Sequence, residues 1–243
     1  MEFEDDAYVL AARPHGETGA IVDLLTLEHG RHAAHVAGGA SRRLKPLLQP
    51  GAKVSVRYRA RTIEQLGSAS LEAAGEGPAA LFEDRLSLAG LGAAAAVAAG
   101  ALPERETHQA AFVAFGALLD ALRAPEIWPA VYVRFEAGLL QELGFGLDLT
   151  RCAAAGTTEN LIYVSPRTGR AVSAAAGEPL KDRLLALPPF LLTPPGPLRA
   201  GDVGAGLTLT SHFLERFVFG PLSRPLPPAR HWLVDQLARE GRL

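Results

Sequence analysis

Short apolar runs alternate with turn residues over residues 7–74. Ala7–Ala12, Ala20–Leu27, Arg31–Gly38, Lys53–Arg61 and Leu66–Ala74 are each rich in Val, Ile, Leu or Tyr. Gly16, Gly19, Gly30, Gly38, Gly39, Pro50, Gly51 and Gly67 separate them. This punctuation predicts five short strands. Five strands in about 70 residues suit a small antiparallel barrel of the OB type, with an SH3-like barrel as the nearest competitor.

The pattern changes at Pro78. Ala79–Leu102, Thr107–Leu122 and Pro129–Leu143 carry apolar residues at spacings of three and four and predict helices. Pro129 suits a first helical turn, and Gly144 and Gly146 are stop signals. Leu161–Ser165 and Arg170–Ser173 flank Pro166-Arg167-Thr168-Gly169, which predicts a hairpin. Five prolines in Pro188–Arg199 predict a loop or extended linker, and Leu207–Phe219 and Ala229–Arg239 predict two closing helices.

Composition narrows the function classes. The acidic start Met1-Glu2-Phe3-Glu4-Asp5-Asp6 is unlike a secretory signal. Residues 86–103 carry no charge but are mostly Ala and Gly, too weakly apolar for a membrane span and suited to a closely packed helix. A single cysteine, Cys152, excludes an internal disulfide and fits a reducing, cytoplasmic compartment.

The overall charge of −2, from 24 basic and 26 acidic residues, excludes a wholly basic coat protein. It is an average over unlike parts. Residues 31–61 hold eight bases (Arg31, Arg42, Arg43, Lys45, Lys53, Arg57, Arg59 and Arg61) and no acid before Glu64. That stretch carries +8 and the other 212 residues carry −10. In Lys53–Arg61 the alternation of a strand puts Lys53, Ser55, Arg57, Arg59 and Arg61 on one face. Val54, Val56, Tyr58 and Ala60 fall on the other. A row of cations at strand spacing matches a phosphate backbone, and Arg42, Arg43 and Lys45 in a Gly-opened loop extend it. A solvated face that keeps the barrel soluble is the alternative. The barrel's aromatic residues are Phe3, Tyr8 and Tyr58, so backbone contacts should dominate over base stacking.

No catalytic constellation accompanies this patch. Gly-x-Ser-x-Gly, the phosphate-binding Gly-rich loop, His-Glu-x-x-His and the dinucleotide fingerprint are absent from the sequence. His29, His32 and His35 recur every three residues, but on a strand His32 and His35 face opposite sides, which argues against a metal site. The expectation is a non-enzyme without cofactor or metal.

The motifs together resemble the RecO family of bacterial recombination mediators. His15-Gly-Glu-Thr-Gly-Ala-Ile-Val22 resembles the family's first hairpin. Gly38-Gly-Ala-Ser-Arg-Arg43 with Leu48-Gln-Pro-Gly51 resembles its basic loop. Tyr132-Val-Arg-Phe-Glu136 with Leu139-Leu-Gln-Glu-Leu-Gly-Phe-Gly146 resembles its most recognisable helix, and Tyr163-Val-Ser-Pro-Arg167 and His212-Phe-Leu214 its later parts.

The resemblance implies an α+β chain. An N-terminal OB-fold β-barrel (1–77) precedes a mainly α-helical central domain (78–147). A degenerate zinc-knuckle-like hairpin with a Pro-rich linker follows (148–200), then C-terminal helices (201–243). It implies DNA repair and recombination in the RecF pathway: binding of single- and double-stranded DNA, single-strand annealing, and loading of recombinase onto protein-coated strands. The implied partners are RecR and the C-terminal tail of the single-strand binding protein, and the implied location is the cytoplasm, nucleoid-associated, without a membrane. A non-enzymatic adaptor that binds acidic protein tails, with incidental DNA contact, is the alternative.

Two positions qualify the resemblance. Some family members hold a four-Cys zinc knuckle. Here Cys152 matches the first ligand, Ala155 stands at its partner, and Ser173 and Ala176 at the second pair, so no structural zinc is expected and Leu161, Tyr163 and Val172 should hold the hairpin by packing. Arg134 and Glu136 are two residues apart and cannot bridge along a helix. Either they join an interdomain salt bridge, or Arg134 caps an apolar groove for an acidic tail, with Tyr132, Leu139 and Arg216 as companions.

Overall fold

A computed structural model describes residues 1–62, 65–75, 77–81 and 83–243. Glu64, which ends the acid-free run, and Phe82, inside the first expected helix, lie outside the described residues. The chain forms two compact units, Met1–Arg123 and Ala124–Leu243.

The first unit is built on five strands: β1 (Glu2–His15), β2 (Gly19–Thr26), β3 (Gly30–Val36), β4 (Lys53–Arg59) and β5 (Gly67–Ala73). They close as β1-β2-β3-β5-β4, with β4 returning to β1. All pairings are antiparallel except β3–β5, where Ala34 meets Gly67 and His35 meets Ser68. This closure is the OB-type barrel, and it decides against the SH3-like alternative. Strand β1 begins at Glu2 rather than at the expected Ala7. Its acidic start still alternates, with Phe3 and Ala7 buried while Glu2 and Glu4 stay exposed.

The barrel core is formed by alternate residues such as Val22, Leu24, Val54, Val56 and Tyr58. Two glycines permit its tightest approaches. Gly30 takes φ +75° at the β2–β3 turn, where a Cβ would strike the Glu106 carbonyl. Gly67 leaves room for the Tyr58 ring.

Helices α1 (Arg85–Ala101) and α2 (Gln109–Ala121) belong to this same unit. The apolar texture beginning at Pro78 is first a 3₁₀ turn, Pro78–Leu81. Helix α1 then starts at Arg85, because the Asp84 carboxylate accepts from Leu86 N–H as an N-cap. The Ala-rich stretch is buried, with Ala93, Ala94, Ala95 and Ala98 in the core. No helix among the described residues is long and apolar enough to cross a membrane. Tyr8 of β1 packs on Phe112 and Phe115 of α2. The packing boundary after Arg123 therefore differs from the change of texture at Pro78.

The second unit contains α3 (Trp128–Glu142), the strands β6 (Leu161–Val164), β7 (Ala171–Ser173) and β8 (Leu185–Ala186), the one-turn α4 (Ala174–Gly177), and the helices α5 (Asp202–Phe213) and α6 (Pro228–Arg239). A π-helical segment, Leu214–Phe219, extends α5. The expected hairpin β6–β7 is present, and β8 pairs on the other side of β6 to make a three-stranded sheet. Two residues of β8 carry too little pattern to be read from sequence.

Inside this unit Glu136 is fully buried and meets Arg230 of α6 through two hydrogen bonds of 2.6 and 2.9 Å. The Thr210 hydroxyl also donates to the carboxylate. Burial, followed by Glu136, pushes the Tyr132 phenol well above its ordinary pKa. A buried pair is costly to break because the survivor is left charged without a partner. Glu136→Gln should lower the stability of the folded chain by about 3–5 kcal/mol in denaturant titration.

His32 is buried in the barrel between Phe3 and Tyr58. Burial holds its pKa below the ordinary histidine value. Arg105 and His29 act in the same direction. The unfolded chain therefore binds this proton more readily. The resulting stability is complete above about pH 6.5 and is lost as pH falls below it. Thermal melts of His32→Leu should show a shallower loss of Tm between about pH 7 and 5 than the wild type.

Candidate nucleic-acid interface

Strand β4 keeps the alternation read from its sequence. Val54, Val56 and Tyr58 are buried, while Ser55, Arg57 and Arg59 are exposed. The outward row is not bare. In the β1–β4 register Glu2 lies opposite Arg59, Glu4 opposite Arg57 and Asp6 opposite Ser55. Arg57 Nε donates to Glu4 at 2.6 Å, Arg59 Nε to Glu2 at 2.7 Å, and Lys53 Nζ stands 3.4 Å from Asp6. On the other side β5 presents Ser68, Ser70 and Glu72. The face is a ladder of exposed ion pairs, weak because solvent screens them. A phosphate can take the place of such a carboxylate.

The loop after β3 differs in kind. Gly38 takes φ +67°, and Lys45–Leu48 forms a 3₁₀ turn. Leu44 and Leu48 are buried in the barrel core and pin the loop. Arg42, Arg43 and Lys45 are exposed beside these anchors. No acid pairs with them among the described residues. Arg61, just past β4, is also exposed and without an acidic partner among the described residues.

Arg31 behaves otherwise. Its guanidinium is largely buried, 2.8 Å from Asp23 and 3.5 Å from Glu104, and its Nε donates to the Leu102 carbonyl. Burial outweighs Arg31 and raises the Asp23 pKa. Arg31 thus ties β3 to the end of α1 and does not join the exposed row. Its partners Asp23 and Glu104 lie outside the acid-free window, so the window made Arg31 look free.

Arg13 was not singled out from the sequence, yet it lines a groove of about 350 Å³ together with Lys45, Ala20, Leu48 and Gln49. It sits on β1, far in sequence from the basic block, and only barrel closure brings it to the loop. A second groove of about 290 Å³ joins Arg57 and Arg59 to His35, whose ring is edge-on to His15 at 5.7 Å. His29 is engaged elsewhere. His29 Nδ1 is 2.8 Å from Asp5, and its ring stacks on Phe3 at 3.9 Å. No group of three His, Cys, Asp or Glu residues that could hold a metal is found among the described residues. Phe3 and Tyr58 are buried and Tyr8 is packed on α2, so none of the three aromatics considered from sequence is a free stacking surface.

In the second unit Tyr132 and Leu139 are core residues with 0% and 1% exposure. Arg134 is exposed and donates to the Phe190 carbonyl at 3.1 Å. Arg216 is exposed and donates to the Pro166 carbonyl. The four do not line one surface groove, since the inward face of α3 claims two of them. Glu136, not Arg134, makes the helix's ion pair.

Cys152 organises the region where the resemblance places a knuckle. Its Sγ accepts from Ser173 N–H at 3.3 Å, from the Ser173 hydroxyl at 3.4 Å and from Ala155 N–H at 3.4 Å. These donors, the hydroxyl first, lower the thiol pKa to about 6. With one thiol, two alanines and a serine at the four positions, the residues present do not fit a zinc ion. Leu161 and Val172 are buried as expected, and Gly177 lets Tyr163 pack closely.

Two family models cover nearly the whole chain: Recombination protein O N terminal over residues 1–73, and Recombination protein O C terminal over residues 83–225. The chain belongs to the RecO family. It is 73% identical over 243 residues to the DNA repair protein RecO of Phenylobacterium zucineum (strain HLK1), with both chains fully covered. It is 69% identical over the same full lengths to that of Caulobacter vibrioides (strain NA1000 / CB15N). It is 55% identical over 240 residues to that of Rhodospirillum centenum (strain ATCC 51521 / SW), covering 97% of this chain and 94% of the relative. This RecO-family chain thus carries a row of exposed cations on an OB-type barrel.

If the pinned loop meets phosphates, replacing Arg42, Arg43 and Lys45 together with Ala should reduce the slope of log K against log salt by about 2–3 for duplex DNA, in fluorescence anisotropy titrations. Arg31→Ala should lower Tm and leave that slope nearly unchanged.

Proposed function

We propose that the chain is a DNA-binding recombination mediator. Its barrel holds single- and double-stranded DNA by the phosphate backbone, anneals complementary single strands, and helps load recombinase onto strands coated by the single-strand binding protein. RecR and the C-terminal tail of that binding protein are its protein partners in this reading. The observation that carries it is the loop of Arg42, Arg43 and Lys45, pinned to the barrel by Leu44 and Leu48, exposed and without acidic partners among the described residues.

The physical work is exchange, not bond chemistry. Two strands repel through their phosphates. A surface that replaces their counterions with fixed cations lowers that repulsion and gains entropy from released ions. The Arg57–Glu4 and Arg59–Glu2 pairs suit this role because an exposed pair is weak and exchanges readily. A phosphate that displaces a carboxylate is held, and it can be given up again. The absence of an unoccupied aromatic among Phe3, Tyr8 and Tyr58 favours backbone contact and little sequence preference on the barrel.

The test is fluorescence-monitored annealing of complementary oligonucleotides coated by the cognate single-strand binding protein. The wild type should accelerate annealing well above the spontaneous rate, and the loop triple variant should lose most of that acceleration. Acceleration that survives in the triple variant would remove the loop from the mechanism. Binding of acidic protein tails without any annealing would assign the basic face to an adaptor role instead.

A further inference from the structure

We propose that the second unit carries a separate stacking platform for an unpaired nucleobase, with Phe145 as its contact ring and Arg216 and Arg167 as its phosphate partners. The platform lies outside the barrel face and rests on the DNA-binding reading given above.

The argument begins with a row of rings. Phe213, at the end of α5, is buried and lies 6.0 Å from Phe217, with planes 11° apart. Phe217 lies 5.4 Å from Phe145, with planes 16° apart. The three rings make a near-parallel ladder that runs from the core outward and ends at Phe145, 41% exposed. The parallel stack leaves its outermost ring partly open to solvent, and aromatic pairs favour offset stacking, so a flat partner can extend it.

Backbone geometry holds the end ring in place. Gly144 takes φ +83° after α3. Gly144 N–H donates to the Gln141 carbonyl and Phe145 N–H to the Leu140 carbonyl, the paired bonds of a Schellman motif. Phe217 lies on the π-helical segment, where Gly220 N–H reaches the Glu215 carbonyl at 2.8 Å. π turns are rare and are frequently found at functional sites.

Charge supplies the second half. The Arg216 guanidinium lies over the Phe217 ring at 5.3 Å and donates to the Pro166 carbonyl at 3.3 Å. Arg167, exposed, follows in the same turn, whose Gly169 approaches Phe213. No ion pair joins Arg216 to an acid among the described residues. A flat ring face whose stack carries one guanidinium, with Arg167 exposed in the adjoining turn, matches a base and its phosphate. Every base has a π-face, so such a platform binds single strands without reading sequence.

The test compares two ligands with equal phosphate counts: an oligothymidylate of about 12 nucleotides, within the site sizes of single-strand binders, and an abasic oligomer of the same length. At fixed salt the full-length wild type should prefer the base-bearing strand by about fivefold or more. Phe145→Ala should bring that preference close to one while leaving abasic affinity unchanged, and Phe145→Trp should restore it. If Phe145→Ala melts early, Phe145→Trp carries the test, because its added fluorescence should be quenched by oligothymidylate and not by the abasic strand. A preference that persists undiminished in a folded Phe145→Ala, or an unquenched tryptophan, overturns the platform. Equal wild-type affinity for both strands overturns the platform and leaves the barrel reading intact. Failure to bind either strand overturns both. An acidic peptide whose binding alone is lost in Phe145→Ala would assign the surface to a protein partner and overturn the nucleobase.

Discussion

The register of β1 against β4 decides which charges the barrel presents to solvent. One slip of a residue would turn every side chain of either strand to the opposite face. In the register found, Glu2 and Glu4 lie across from Arg59 and Arg57, so bases separated from these acids by more than fifty residues of chain become their neighbours. The cationic block is thereby divided into two kinds of charge. On β4 the arginines are compensated and exchangeable. In the loop after β3, Arg42, Arg43 and Lys45 have no acidic partner among the described residues and face solvent directly.

The same division explains why a near-neutral chain is compatible with phosphate binding. Exposed pairs are weak, and salt screens them over roughly 8–10 Å at physiological strength. A single phosphate gains little by displacing one carboxylate. A backbone of regularly spaced phosphates gains repeatedly, and releases counterions each time. The grooves that bring Arg13 to Lys45 and His35 to Arg57 and Arg59 extend this surface beyond the basic block itself.

The second unit is ordered by buried polar contacts instead. Glu136, Arg230 and Thr210 tie α3, α5 and α6 through one carboxylate. Nearby in sequence, a single thiol accepting three hydrogen bonds stands where a four-thiol metal knuckle would need three more cysteines. Ser173, at one of the missing positions, contributes two of those bonds, so the hairpin keeps a local organising centre without zinc. Packing of Leu161 and Val172 and the added strand β8 complete it.

The sequence alone determined the elements with strong periodicity. All five barrel strands, the helices ending near Ala101, Ala121 and Glu142, and the inward and outward faces of β4 follow from patterns of two and of three to four, because burial imposes those periods directly. The acid-free run and the Gly-opened loop were legible for the same reason: they are contiguous. Tertiary structure decided everything that depends on residues distant in the chain. It made Arg31 a strut to Asp23 and Glu104, and it paired the β4 bases with the acids of β1. It placed Tyr132 and Leu139 in the core, and it stacked Phe145 on Phe217. A local pattern says which side chains are buried, but electrostatic and ring partners are chosen by strand register and helix crossing, and no single stretch of sequence contains these.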